Sequence, residues 1–355
     1  RESVDMGDKI LMKGNDVVGE AAVIAGCRYY FGYPITPQNE IPAYMSSRLP
    51  EVGGTFIQAE SEIAAINMVF GASAAGGRVM TSSSSPGVSL KQEGISYLSG
   101  AKLPAVVVNM MRGGPGLGNI AGAQGDYFQG TRGGGNGDYR TVVLGPSTVQ
   151  ELADLTVKAF DIADQYRVVG MIRGDGFLGQ MSEAVELPEP TNREFDKSWR
   201  LSGADGRQPH IIASLRLNPE DALEKLNEEL METYEEITKN ERMFEAIQTE
   251  DADYVMVAYG TSSRVCRSAM RELRKEGIKV GLFRPISLWP FPYSELEKAV
   301  SGAEKILTVE MSGGQMVEDV RLSLNGSKEV DFYGRMAGML PDIEEIKERI
   351  KSYGK

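Results

Sequence analysis

Four places in this 355-residue chain carry side chains that could act together: Thr36, Glu62, the run Ser82-Ser83-Ser84-Ser85, and Arg112. Glu62 opens the run Ile63-Ala64-Ala65-Ile66-Asn67-Met68-Val69-Phe70, an apolar helix pattern that puts its carboxylate in the first turn with little water around it. An acid there either caps the helix or exchanges a proton with a ligand, and the residues alone leave both open. Arg112 carries a planar fork that can grip a carboxylate through two parallel hydrogen bonds; a surface ion pair is the competing reading. The serines read as hydrogen-bond donors rather than nucleophiles. A Ser-His-Asp triad would need the single histidine, His210, which lies far along the chain and reads as structural or solvated. Cys27 and Cys266 sit in separate apolar runs outside any CxxC pattern, which excludes a four-cysteine zinc or iron–sulfur site built from this chain alone. They read as buried, inert thiols.

These groups meet only if the fold brings them together. Each follows an apolar run that reads as a buried strand and ends in small or turn-forming residues: Pro34-Ile35-Thr36-Pro37 after 29–33, Glu62 after 55–60, the serines after 78–82, and Arg112 after 104–110. In an open parallel sheet ligands bind at the carboxyl ends of the strands, so side-by-side strand ends make one site. Helices are expected from Asn15 to Gly26, from Glu62, from Pro86 to Leu98 and from Thr148 to Tyr166, with further strands at 10–12, 141–144 and 168–172. The alternation predicts an α/β domain over 1–188. A linker over 189–250 follows, whose charged run at 219–245 predicts an amphipathic helix with Leu223, Leu226, Leu230 and Tyr234 on one face. The α/β rhythm resumes over 251–355 as a second, smaller doubly wound domain, where Arg284-Pro285 and Gly313-Gly314 fall at strand ends. The glycine-rich stretch 112–137 is long for a loop and reads as a lid or subunit contact. It is neither a Walker loop nor a Rossmann GxGxxG. Gly174-Asp175-Gly176 reads as a tight turn.

The runs GYPITPQNEIP (32–42), QAESEIAAINMVFGA (58–72) and GRVMTSSSSPGVSLKQEGISYLSGAKLPAVVVNMMRGGPGLGN (77–119) resemble the α subunit of 2-oxoacid:ferredoxin oxidoreductases of the 2-oxoisovalerate and 2-oxoglutarate types. The likeness continues through KVGLFRPISLWPFP, VEMSGGQMVEDVRL and FYGRMAG. It implies a thiamine-diphosphate-binding, pyrimidine-type doubly wound domain followed by a transketolase C-terminal-like domain. By the same resemblance Glu62 matches the catalytic glutamate that bonds N1′ of the aminopyrimidine, and Ile35, Ser85 and Pro86 join it in cofactor binding. Thr36 and Arg112 match the substrate-binding positions, Arg112 as the carboxylate anchor. The family usually has histidine where this chain has Asn136, so a role attributed to that imidazole does not carry over. A GDG that binds metal and diphosphate needs an asparagine about thirty residues later; Asn192 comes too early and Asn218 too late. The chain therefore holds no metal of its own and shares thiamine diphosphate with a partner. The resemblance supplies the β subunit (diphosphate, Mg²⁺ and an iron–sulfur cluster), a γ subunit with δ as a further candidate, ferredoxin as electron acceptor, and CoA as co-substrate. The implied reaction is oxidative decarboxylation of a branched-chain 2-oxoacid or 2-oxoglutarate to acyl-CoA, in an anaerobic metabolism. A lipoamide-using thiamine dehydrogenase β chain and a non-catalytic scaffold are the alternatives.

Composition sets the outer bounds. A net charge of -12 argues against nucleic acid and anionic membranes as partners. No run of eighteen apolar residues appears, and cysteine usage fits a reducing cytoplasm. Residues 1–5, ahead of Met6, read as a remnant before a natural start.

Overall fold

The computed structural model describes residues 9–190, 193–204 and 206–354, so the reading of residues 1–5 lies outside the described residues. The first part of the chain runs β1 (Ile10–Lys13), α1 (Gly14–Ile24), β2 (Tyr29–Gly32), α2 (Glu40–Glu51), β3 (Thr55–Gln58), α3 (Glu62–Ala74), β4 (Val79–Ser83) and α4 (Ser85–Gly100). It continues with β5 (Ala105–Met111), α5 (Tyr127–Thr131), β6 (Val142–Leu144), α6 (Val149–Tyr166), β7 (Val169–Asp175), α7 (Gly176–Gln180) and β8 (Ser182–Val185). After α8 (Ala222–Asn240) and β9 (Phe244–Ile247) come β10 (Tyr254–Val257), α9 (Gly260–Lys275), β11 (Val280–Pro285), β12 (Ser287–Trp289), α10 (Tyr293–Ala299), β13 (Lys305–Glu310), α11 (Met316–Leu324), β14 (Val330–Gly334) and α12 (Ile343–Ser352).

Two parallel sheets with helices on both faces follow from this alternation. The first has seven strands in the order β12-β6-β7-β5-β4-β2-β3, parallel except for β12. Its centre, β5 beside β7, is buried along its whole length, which is why both open as apolar runs rather than alternating ones, with Asn109, Arg173 and Asp175 toward their carboxyl ends. The second sheet has five strands, β14-β13-β10-β11-β9, with only β9 antiparallel.

Three features depart from the sequence reading. The strand expected at 10–12 stays out of the main sheet and pairs with β8 as a two-stranded antiparallel ribbon. Strand β9 falls inside the stretch expected to link the domains yet pairs with β11, while β12 falls beyond 251 and pairs with β6 of the first sheet. Each unit therefore borrows a strand across the expected boundary, and one hydrophobic cluster runs from Val107 and Met171 to Val257, Tyr259 and Phe283. Third, α8 buries Leu226, Leu230, Tyr234 and Ile237, whereas Leu223 stays 48% exposed. The stripe runs i, i+4, i+8, i+11 and leaves Leu223 to one side. It packs on the core of the first sheet, with Tyr234 edge-on to Trp289 at 5.6 Å, so it is spent internally rather than on a partner. Among the described residues no helix is long and apolar enough to cross a membrane.

Candidate functional site

The strand ends meet as parallel topology requires. The turn after β2 carries Ile35, half-buried, and Thr36, exposed; the carbonyl of Thr36 accepts from Nη1 of Arg112 at 2.8 Å. Arg112, only 6% exposed, donates Nη2 to the carbonyl of Leu117 at 3.1 Å and leaves Nε without a partner. The guanidinium thus ties the Thr36 turn to the loop after β5, and among the described residues its Nε–H is unspent. The main-chain N–H of Arg112 donates to Ser85 Oγ at 3.0 Å, and Ser85 Oγ donates to Asp126 at 2.6 Å. Asn109 donates to the same Asp126 oxygen at 2.9 Å, and the fully buried Arg173 stands 3.9 Å from it. Burial pushes the Arg173 guanidinium below its usual range, with Asp126 opposing.

Glu62 is the first residue of α3, and the capping is done by its neighbour: Ser61 Oγ accepts from Ala64 N. The residue as a whole is 6% exposed, and its carboxylate accepts no hydrogen bond among the described residues. It lies over Gly87 in the first turn of α4, where a Cβ would sit 2.5 Å from Glu62 Oε1 and 2.1 Å from Ser83 Oγ. Only glycine permits that approach. Ile66 is buried beside it, but Ile63, expected to help cover the acid, is 50% exposed and faces outward. Behind the cluster Lys91 is completely buried, its ammonium donating to Thr81 Oγ1 at 2.5 Å and to the carbonyl of Ser82 at 3.1 Å. Burial pushes it down to about 7, and the Glu62 charge opposes that shift.

Ser83 Oγ, Ser84 Oγ, Gln38 Nε2 and Arg112 Nε are all buried and have no partner among the described residues. Buried polar groups are normally paired, so a concentration of unpaired ones at the converging strand ends fits a ligand with several hydrogen-bonding edges. Ser85 and Pro86 line an adjoining cleft of about 610 Å³, whose other wall comes from Met311, Gly313, Gln315, Met336 and Ala337 of the second unit. Gln124, fully buried, holds that wall in place: its side chain donates to the carbonyl of Tyr259 and accepts from Ser262 Oγ and Met311 N.

Other expectations resolve differently. The glycine-rich stretch is not one free lid: 112–126 is pinned between the two units, α5 interrupts it, and Gly134 and Gly135 pack on Gln92 and Ser96 along α4. Asn136, exposed there, accepts a 3.3 Å hydrogen bond from Ser96. Asp175 is no tight turn. It ends β7, caps α7 by accepting from Phe177 N and Leu178 N, and accepts from Thr261 Oγ1 of the second unit at 2.6 Å. Arg284 is clamped by Glu151 and Glu245, and the N-terminus of α11 is filled by the carboxylate of Glu310, while Gly313 lines the cleft. His210 is exposed, with its ring Nε2 3.0 Å from the carbonyl of Trp199, and both thiols are buried. Among the described residues no three His, Cys, Asp or Glu gather as a metal site. Asp126, Gln124 and Lys91 were not singled out from the sequence. For Lys91 a signal existed: a lysine four residues after Gly87 in a helix of small and apolar residues lies on the face turned to Glu62.

Residues 20–246 match the sequence model of a family described as pyruvate flavodoxin/ferredoxin oxidoreductase, thiamine diphosphate binding. Residues 252–346 match pyruvate:ferredoxin oxidoreductase core domain II. The chain belongs to the 2-oxoacid:ferredoxin oxidoreductases. It is 50% identical over 342 residues to the ketoisovalerate oxidoreductase subunit VorB of Methanothermobacter thermautotrophicus, covering 96% of this chain and 97% of that one. It is 33% identical to the 2-oxoglutarate synthase subunit KorA of the same organism, covering 97% and 99% of the two chains. A solved 2-oxoglutarate:ferredoxin oxidoreductase from Magnetococcus marinus, with 2-oxoglutarate, coenzyme A and succinyl-CoA bound, superposes with a TM-score of 0.89 at 28% identity. That match covers 98% of this chain and 66% of the other. A split-gene transketolase superposes at 0.60 with 14% identity over 96% of this chain and 97% of that one, a likeness of fold alone. Members of this family are subunits of larger oxidoreductases that use thiamine diphosphate and CoA, and this chain is one such subunit. The unpartnered serines and the Glu62 cradle at Gly87 fit the pyrimidine half of that cofactor.

Proposed function

We propose that the chain is the α subunit of a 2-oxoacid:ferredoxin oxidoreductase and supplies the pyrimidine-binding half of its thiamine diphosphate site. The observation that carries this reading is Glu62, a buried residue whose carboxylate is free of capping duty and held over Gly87. Glu62 would hold N1′ of the aminopyrimidine and share a proton with it, while Ile35, Ser85 and Pro86 shape the pocket around the ring. When bound, thiamine diphosphate supplies the electron sink for decarboxylation. Arg112 would turn its spare Nε–H toward the carboxylate of the 2-oxoacid beside Thr36, fixing the substrate's orientation.

The net reaction converts a 2-oxoacid and CoA to acyl-CoA and CO2, with two electrons passing to ferredoxin and a proton released. Half identity to a ketoisovalerate oxidoreductase subunit favours a branched-chain 2-oxoacid over 2-oxoglutarate. The β subunit would bring the diphosphate and Mg²⁺ site and an iron–sulfur cluster, with γ and δ subunits completing the complex in the cytoplasm. Within the chain, 1–188 would form the pyrimidine-binding unit, 189–250 the connection and 251–355 the transketolase C-terminal-like unit. The relatives do not support transfer to lipoamide.

The test is methyl viologen reduction by this chain co-purified with its native partners, given thiamine diphosphate, Mg²⁺, CoA and a panel of 2-oxoacids. Activity on one acid, with KM raised at least about tenfold in Arg112→Ala, is expected. Cofactor-loaded complex inert toward every acid would leave a scaffold role instead.

A further inference from the structure

We infer that Lys91 is a positioning residue for Glu62, holding compensating positive charge behind the carboxylate that faces the cofactor ring. The inference rests on the reading of Glu62 just given and adds a residue that nothing in that reading uses. Gly87 and Lys91 are four apart on α4, so they share a face, and a helical side chain leans back toward the N-terminus. That direction carries the ammonium under the end of β4, where Thr81 Oγ1 and the carbonyl of Ser82 fix it, beside the place where Gly87 admits Glu62. Among the described residues the charged group acting on it is Glu62, from α3, while β4 contributes a hydroxyl and a carbonyl. Burying an ammonium against neutral acceptors is unfavourable by itself, since desolvation penalises the charged form. A neighbouring carboxylate offsets that penalty, and the benefit is mutual. With the cation in place, Glu62 keeps a negative charge at lower cost when its proton resides on the ligand nitrogen.

The experiment uses the intact complex stripped of cofactor, with thiamine diphosphate affinity measured by calorimetry between pH 5.5 and 9 in wild type, Lys91→Met, Lys91→Gln and Lys91→Arg. Below about pH 7, where Lys91 carries its proton, loss of the cation in Met is expected to move the pH midpoint of affinity upward by about one unit or more. Gln, which keeps a hydrogen-bond donor without charge, should behave like Met and covers the case in which Met disrupts packing. Arg, which stays charged, should restore the wild-type profile below about pH 7. In a Glu62→Gln background the Lys91 substitutions should cause no further movement. Wild-type pH profiles in Met or Gln would overturn the inference while leaving Glu62 in place. If Glu62→Gln itself leaves affinity and turnover unchanged, the reading of Glu62 fails instead.

Discussion

Both sheets end in a buried glutamate at a helix N-terminus, and the two glutamates are finished in opposite ways. Glu310, completely buried at the end of β13, accepts from Ser312 Oγ and from the N–H groups of Gln315, Met316 and Val317. Its lone pairs are used to start α11. Burial still pushes its carboxyl above the usual range, with those four donors opposing. Glu62 is itself the first residue of α3, but Ser61 does the capping and the carboxylate is left to face the strand-end cluster. Helix ends leave orphan N–H groups that some acceptor must satisfy. Where a neighbour takes that task, a carboxylate at the same position is available for a ligand.

The largest contrast should come from breaking each acid. Glu62→Gln is expected to lower 2-oxoacid-dependent viologen reduction at least about a hundredfold while leaving the unfolding midpoint in place. Glu310→Ala should do the reverse, costing about 1–3 kcal/mol of stability in urea unfolding because buried donors lose their acceptor. Equal stability losses in the two variants would end the distinction.

Lys91 sharpens it further. Its folded pKa, pushed down to about 7 by burial, lies below the ordinary lysine value. Between the two values the unfolded chain binds more protons, so stability should rise with pH from about 7 toward 10, and the full penalty is present below 7. The slope approaches about 1.4 kcal/mol per pH unit, and Lys91→Met should flatten it in pH-resolved thermal melts. Gly87→Ala tests the cradle: the added carbon must push Glu62 or Ser83 aside, and turnover should fall about tenfold or more with a smaller loss of stability. The mildest change is Thr261→Val, which removes one hydrogen bond to Asp175 across the two units. It should lower the unfolding free energy by about 1 kcal/mol with turnover retained.

Much of this was legible in the chain. The apolar runs of β5 and β7, the Thr148 cap of α6 and the stripe of α8 are local patterns, and burial on one or both faces imposes them directly on residue order. The strand ends bearing Thr36, Glu62, the serines and Arg112 could be read the same way, because parallel topology sends all such ends to one side. Helix α2, with Pro42 and Pro50, and the short elements α5, α7, β8, β9 and β12 left too few periods to detect.

By itself, then, the sequence determined the α/β rhythm, the convergence of four strand ends and the family to which the motifs belong. Each of these depends on residues close together in the chain or on a topology with one solution. Only the tertiary structure decided that β9 of the linking stretch joins the second sheet and β12 the first, that Asp175 caps a helix instead of making a turn, and that Arg112 grips the Thr36 turn. It alone set Lys91 behind Glu62. Those outcomes depend on which distant groups are left to satisfy one another once water is excluded, and no local pattern records that.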